Sequence, residues 1–177
     1  MTGVALGPTE GADGRPAAIP RPSYALVGAS LGPNLVPPSG PDLTRAFESC
    51  RLEAYQDQDG VWTIGWGHTG EEVVPGLVWT QATADSVFQT DFSSCTAALQ
   101  TLCPHLSAGQ LAAVQSLVYN IGLKAFETSY LLSMIKQNNW IAAAHEFVRW
   151  DHVGKGEAKG LLHRRLAESL VFVASSP

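Results

Sequence analysis

No stretch of about 18 unbroken apolar residues occurs in this 177-residue chain, so the sequence offers no ordinary membrane-spanning helix. Positive charge is scarce. Eleven Lys and Arg stand against 16 Asp and Glu, a formal charge of −5. That excludes a nucleic-acid binder working through a broad basic face, and it speaks against simple attraction to any anionic polymer. Cysteine is scarcer still: Cys50, Cys95 and Cys103 are too few, and too odd in number, for a disulfide framework. A reducing compartment during synthesis is expected. No charged start, apolar run and small-residue cleavage site follow one another from Met1, so no secretory leader is expected. Charged residues reach only 15%, while hydrophobic ones reach 45%, which excludes a wholly disordered chain. A chain of this size forms one domain with a tail, or one domain of two lobes, and hides roughly two thirds of its unfolded surface.

Familiar site motifs are also missing. Cys95, Cys103 and His105 lie near one another, but their spacing matches no common zinc pattern. His145-Glu146 lacks the second histidine of His-Glu-x-x-His. Gly-x-Ser-x-Gly does not occur, and no cysteine stands beside an evident base. No metal and no cofactor is expected.

Proline and glycine are concentrated instead of absent. Eight of the eleven prolines and seven glycines fall in residues 1–41, which contain no lysine. Such a segment cannot bury enough apolar surface to offset chain entropy, so a flexible or extended arm is expected there, with the folded domain at 42–177. The mildly apolar run Tyr24 to Leu31 is too short to span a bilayer, and Pro33 follows at once. A weak signal-anchor role for residues 23–36 stays open.

From Pro41 onward the pattern is regular. Leu43, Ala46, Phe47 and Cys50 mark one face of a short helix, with Ser39-Gly40-Pro41 as its cap and first turn. Residues 52–69 read as β structure turning at Asp59-Gly60, with Trp62, Ile64 and Trp66 on one face and Val61, Thr63 and Gly65 on the other. After Pro75-Gly76 the chain reads as helical. Thr80 caps a helix to about Leu99, and Ser107 caps another that stops at Gly122. A third starts near Thr128 or Ser129, a fourth runs from about Asn139 to Trp150, and a last one spans about Leu161 to Val173. The fold class is α+β: a small β-hairpin lobe, then a larger, mainly α-helical lobe. Residues 42–91 carry a net of −7 and residues 124–168 a net of +2. This split suits a cleft with opposed walls, and equally suits ordinary solvated faces.

Three polar residues converge in this scheme. Glu48 stands near the end of the first helix, Asp57 before the turn and Thr63 on the returning strand. Cleavage of a glycosidic bond needs a protonated acid at the leaving oxygen and a second carboxylate across the ring. Burial among apolar groups favours a protonated carboxyl, hydrogen bonding favours an ionised one, and a threonine hydroxyl can hold a water in line for attack. Spacing alone also fits Asp57 and Asp59 as turn residues and Glu48 as a surface acid.

The stretch Phe47-Glu48-Ser49-Cys50-Arg51-Leu52-Glu53-Ala54-Tyr55-Gln56-Asp57, followed by Gly60-Val61-Trp62-Thr63-Ile64-Gly65-Trp66-Gly67-His68-Thr69-Gly70, resembles the signature of phage-type lysozymes, the endolysins of glycoside hydrolase family 24. That pattern is Glu, eight residues, Asp, five residues, Thr, then Ile-Gly-Tyr-Gly-His-Thr. Tyr119-Asn120-Ile121-Gly122 resembles the family's Phe-Asn-x-Gly, and Arg149-Trp150 its Arg-Trp. Gly160 to Glu168 resembles its closing Gly-Leu-x-x-Arg-Arg-x-x-Glu. The resemblance runs over about residues 42–173. It implies a lysozyme-like fold with the active-site cleft between the lobes. It further implies a muramidase cutting the β-1,4 bond between N-acetylmuramic acid and N-acetylglucosamine of bacterial peptidoglycan. Glu48 would be the general acid, Asp57 would position or activate the nucleophile, and Thr63 would orient water. Relatives with Asp and Thr at these positions suggest inversion by a held water.

Ser49 stands where the family usually has glycine, which would restrict the backbone if that position needs φ > 0. Trp66 replaces the usual tyrosine, and the acidic balance departs from the family's strongly basic members. Among secondary candidates, Tyr119 offers a ring for sugar contact and Asn120 an amide for an acetamido group, with core packing and helix capping as the competing roles. His68 suits a brace between hairpin and helices more than a cleft-facing role. Arg164 and Arg165 are candidates to reach Glu48 and tune its ionisation, against surface pairing with Glu168. Trp150 is expected in the core. Competing functions are a lytic transglycosylase, which needs one acid and no water-holding pair, and a catalytically inactive wall-binding module on the same scaffold. Peptidoglycan is the expected partner, with a separate pore-forming holin implied for release from the host cytoplasm. A monomer is expected, with no nucleic acid and no stable membrane insertion.

Overall fold

A computed structural model describes residues 37–57, 60–153, 156–157 and 159–176. Of the expected arm, residues 1–41, positions 1–36 lie outside the described residues, and with them the apolar run Tyr24 to Leu31 and the candidate anchor 23–36, as does Asp59 of the turn; residues 37–41 are described. Helix α1 (Gly40–Arg45) opens the fold, capped by Ser39, whose hydroxyl accepts from the Asp42 N–H. Three antiparallel strands follow in the order β1 (Arg51–Gln56), β2 (Trp62–Gly65) and β3 (His68–Thr69). The helical lobe comprises α2 (Gln81–Leu102), α3 (Ala108–Ile121), α4 (Leu123–Glu127), α5 (Tyr130–Lys136), α6 (Trp140–Phe147) and α7 (Lys159–Ala174). Between α6 and α7 lie a 3-10 turn, Val148–Trp150, and a two-stranded ladder, β4 (His152–Val153) with β5 (Gly156–Glu157). The lobe order matches the sequence reading: a small sheet, then helices.

Most helix starts follow from side-chain caps. Thr80, Ser107, Ser129 and Asn139 each accept a hydrogen bond from a backbone N–H three residues on, satisfying a donor the helix cannot. At Ser107 the Gln110 side chain returns the bond, completing a capping box. Gly122, at φ +83°, ends α3 as expected. Helix α2 is rich in Ser and Thr yet unbroken, because hydroxyls such as those of Thr90, Ser93 and Thr96 bond back to the carbonyl four residues earlier.

Four sequence expectations are corrected. Helix α1 stops at Arg45, so Cys50 is not on its apolar face, and Glu48 lies three residues past its end. The N–H groups of Phe47 and Glu48 both reach the Thr44 carbonyl, tightening the last turn so the chain can enter β1. Strand β2 stops at Gly65, so Trp66 does not share a strand face with Ile64. Gly65 and Gly67, at φ +65° and +100°, turn the chain there. Helix α6 ends at Phe147, the remainder to Trp150 being 3-10. The short helix α4 and the β4–β5 ladder carry no periodicity long enough to read.

The core lies within the helical lobe. Leu99, Val114, Leu117, Phe126, Leu131, Phe147 and Phe172 are fully buried there. Trp150 packs against this core without being fully buried. A second contact layer joins the lobes. Phe88 of α2 packs on Trp66, Phe92 and Tyr119 at ring distances of 6.0, 5.5 and 5.3 Å. Cys50, Cys95 and Cys103 are free thiols.

Candidate active site

The hairpin holds two of the three expected residues through one backbone unit. The Asp57 N–H donates to the Val61 carbonyl at 3.0 Å, and the Val61 N–H donates to Asp57 Oδ1 at 2.8 Å. The Thr63 hydroxyl donates to the same Val61 carbonyl at 3.1 Å. Val61 therefore sets the carboxylate and the hydroxyl in a common frame. Gly60, at φ +78°, closes the turn, its N–H reaching the Asp57 carbonyl at 3.1 Å. Thr63 is buried, while Asp57 is exposed at the hairpin tip.

Glu48 is held from the other lobe. Its Oε1 accepts from Arg164 Nη1 at 2.5 Å, and its side chain keeps 22% exposure. Arg164 is itself buried, and the Phe47 ring lies 5.8 Å from its guanidinium. Burial acts against the Arg164 cation, but Glu48 and Glu168 outweigh it and hold its pKa above the usual arginine value. Of the two arginines only Arg164 reaches Glu48. Arg165 instead donates to the Trp150 carbonyl, to Glu168 and to the Asn120 side-chain oxygen.

The expected Arg–Glu168 pairing exists but is no surface contact. Glu168 is fully buried and accepts from Arg164 Nε at 3.0 Å, Arg165 Nη1 at 2.5 Å and the Ser116 hydroxyl at 2.6 Å. Ser116 was not legible as a site residue, since a serine on a helix's apolar side carries no signal of its own. The closing Arg-Arg-x-x-Glu spacing did carry one for Glu168: positions i, i+1 and i+4 place both arginines within reach of it on a helix.

Tyr119 turns its hydroxyl to the Trp66 carbonyl at 3.1 Å, and its ring packs on Phe88 and Phe92. Burial, then the charges of Asp91 and Glu48, push its phenol above the usual range. Asn120 is exposed but spends its carbonyl oxygen on Arg165. His68 bridges the lobes: Nδ1 meets Asp91 of α2 at 2.7 Å, and Nε2 meets Glu72 at 2.7 Å. Burial opposes its protonation, but those two carboxylates outweigh burial and raise its pKa above 6.5. Trp66 uses the indole N–H that tyrosine lacks, donating to Asp85 at 2.7 Å, while Arg45 stacks 5.2 Å over its ring. Ser49 is exposed and does not adopt positive φ, so the change from glycine leaves no strain there.

Tyr55 was missed as a site residue. It pairs directly with Thr63 across β1 and β2, which puts both side chains on one face. Burial raises its phenol pKa first. Arg51, stacked 4.1 Å over its ring, lowers it, and Glu48 and Asp57 raise it further. The phenol thus stands in the field of both carboxylates.

Comparison with known proteins shows the family and the fold. The family model for phage lysozyme matches residues 45–168. The chain belongs to the phage lysozyme family. An endolysin of Acyrthosiphon pisum secondary endosymbiont phage 1 is 37% identical over 135 residues, covering 73% of this chain and 92% of that relative. A SAR-endolysin of Bacteriophage PS34 is 31% identical over 148 residues, covering 81% and 87% respectively. Among solved structures, the muramidase domain of SpmX from Asticaccaulis excentricus aligns with a TM-score of 0.69 at 30% identity, over 76% of this chain and 94% of that one. The lysozyme-like fold class inferred from sequence is the fold found. Among the described residues no helix is long and apolar enough to cross a membrane.

Proposed function

We propose that this phage-type lysozyme cleaves the β-1,4 bond between N-acetylmuramic acid and N-acetylglucosamine with Glu48 as general acid. Asp57 and Thr63 hold the attacking water. The chain is a peptidoglycan-hydrolysing endolysin by its family and relatives. The observation that carries the residue roles is the split suspension of the site. Arg164 fixes Glu48 from the helical lobe, while Val61 ties Asp57 and Thr63 together on the hairpin. Glu48 protonates the leaving oxygen. Asp57 accepts a proton from the water whose oxygen attacks the anomeric carbon, and the Thr63 hydroxyl oxygen, its own proton committed to Val61, accepts from that water. Inversion follows from this arrangement. Tyr119 and Asn120 serve the site mainly by bracing Trp66 and Arg165, with sugar contact through exposed atoms of Asn120.

Digestion of purified peptidoglycan tests the reading. Wild type releases hydrated muropeptides ending in reducing N-acetylmuramic acid, in the α configuration when fresh. Glu48→Gln lowers that rate by about 10²–10⁴-fold. Anhydro products, lighter by one water, would instead identify a transglycosylase and leave Asp57 and Thr63 without their task. Binding without any product from the folded wild type would identify the inactive module.

The route to the wall is part of the same proposal. The enzyme collects in the host cytoplasm as a monomer and relies on a holin for release, with the residues ahead of the α1 cap as an arm outside the catalytic domain. The SAR-endolysin name of one relative supports a second route, in which residues 23–36 anchor the chain before release. Fractionation of host cells before lysis separates the two: soluble protein supports the first, membrane-pelleted protein the second.

A further inference from the structure

Two guanidiniums lie side by side beneath Glu48. Arg164 and Arg165 are adjacent in sequence, almost fully buried, and served by a single buried carboxylate, Glu168. Arg164 has little freedom left. Nε is held by Glu168, Nη2 donates to the Ser116 carbonyl at 2.9 Å, and Nη1 points at Glu48. A planar guanidinium anchored on two of its edges presents the third in one direction. Glu168 is in turn fixed by the Ser116 hydroxyl and by Arg165. Two guanidiniums and two carboxylates balance in formal charge. Burial and the neighbouring Arg164 depress the Arg165 pKa, and Glu168 is the main group opposing that depression.

We propose that Glu168 is a positioning residue of the hydrolysis reaction: it aims Arg164 and thereby fixes the rotamer in which Glu48 meets the leaving oxygen. This rests on the reading of Glu48 as the general acid. Glu168 itself is completely buried and touches no substrate. Its effect reaches the reaction through one guanidinium and falls on the chemical step more than on saccharide binding. Without its charge, two buried cations face each other across one missing acceptor, and Arg164 loses the bond that sets its plane. A displacement near 1 Å at the acid is enough to cost on the order of 100-fold in rate.

The test measures kcat and KM on soluble, uncross-linked glycan strands for wild type, Glu168→Gln, Ser116→Ala and Glu48→Gln, after confirming folding by circular dichroism and thermal melting. Folded Glu168→Gln is expected to lose about 10–100-fold in kcat with KM within about twofold of wild type. Ser116→Ala keeps every charge and removes the hydroxyl that donates to Glu168 and accepts from Arg164 Nη2 at 3.4 Å, so it loosens the same Glu168–Arg164 unit and is expected to lose kcat by a smaller factor, again at constant KM. A folded Glu168→Gln with wild-type kcat would overturn the proposal. So would a loss explained by the unfolded fraction alone, or one shared equally by KM. Should Glu168→Gln not fold, unchanged kcat in folded Ser116→Ala overturns it. Full activity in Glu48→Gln would mark failure of the underlying reading, separately from the fate of the Glu168 variants.

Discussion

At the scale of single residues, the site depends on which polar atoms already have partners. Thr63 is buried and donates its proton to the Val61 carbonyl, so in the proposed mechanism its oxygen serves as an acceptor. Replacing Thr63 by Val keeps the shape and removes that oxygen. The expected result is a kcat reduced on the order of 100-fold, with a stability loss of only about 1 kcal/mol from the missing hydrogen bond. Thr63→Ser is expected to restore much of the rate. Kinetics on soluble glycan and a urea titration read the two effects separately, and a Val variant with wild-type kcat would remove Thr63 from the mechanism. The spacing of Glu48, Asp57 and Thr63 around Asp59-Gly60 is local and could be read in order along the chain, while the roles proposed for them came from the family resemblance. Glu48's partner was narrowed only to Arg164 or Arg165. Choosing between adjacent residues requires the helix rotation, which packing sets.

At the scale of elements, the hairpin is tied to α2 by His68 between Glu72 and Asp91. Its pKa is raised above 6.5, so its contribution is full below that value and is lost as pH rises through the folded-state value. Glu72 runs the other way. His68 lowers its pKa below 4.5, so its contribution is present above 4.5 and is lost as pH falls through the folded-state value. Asp91 and the Trp79 ring, 5.5 Å away, complete the surroundings of the imidazole. The melting-temperature gap between wild type and His68→Gln is therefore expected to be widest between about pH 4.5 and 6.5 and to narrow toward pH 9. Melting curves across that range check it, and a gap that widens with pH would contradict it. Helix starts were legible here because Ser and Thr caps act within three residues. Trp66 was misassigned to a strand face because alternation says nothing of the turn made by Gly65 and Gly67.

At the scale of the whole molecule, the long helix α2 carries Asp85, Phe88, Asp91 and Phe92, and these receive Trp66, His68 and Tyr119. The lobes are thus joined by aromatic contact as well as charge. With a net charge of −5, long-range attraction to an anionic wall contributes little. Raising ionic strength from about 0.02 to about 0.2 M is expected to change the initial rate on purified peptidoglycan by less than about threefold, since screening removes only attractions that exist. A tenfold loss would reveal a local cationic path through the cleft that outweighs the overall charge.

The sequence by itself determined the order of lobes, the caps, the Gly122 stop and the Glu48–Asp57–Thr63 spacing. Each is a property of neighbours a few residues apart, or of a pattern printed in order along the chain. Tertiary structure alone decided where α1 ends, what the indole of Trp66 bonds to, and that Glu168 is buried beneath two arginines instead of paired with them at the surface. The last two outcomes depend on segments 19 to 116 residues apart meeting in a close-packed interior. There a buried charge is tolerated only where distant partners arrive to satisfy it, and no local pattern encodes which partners those will be.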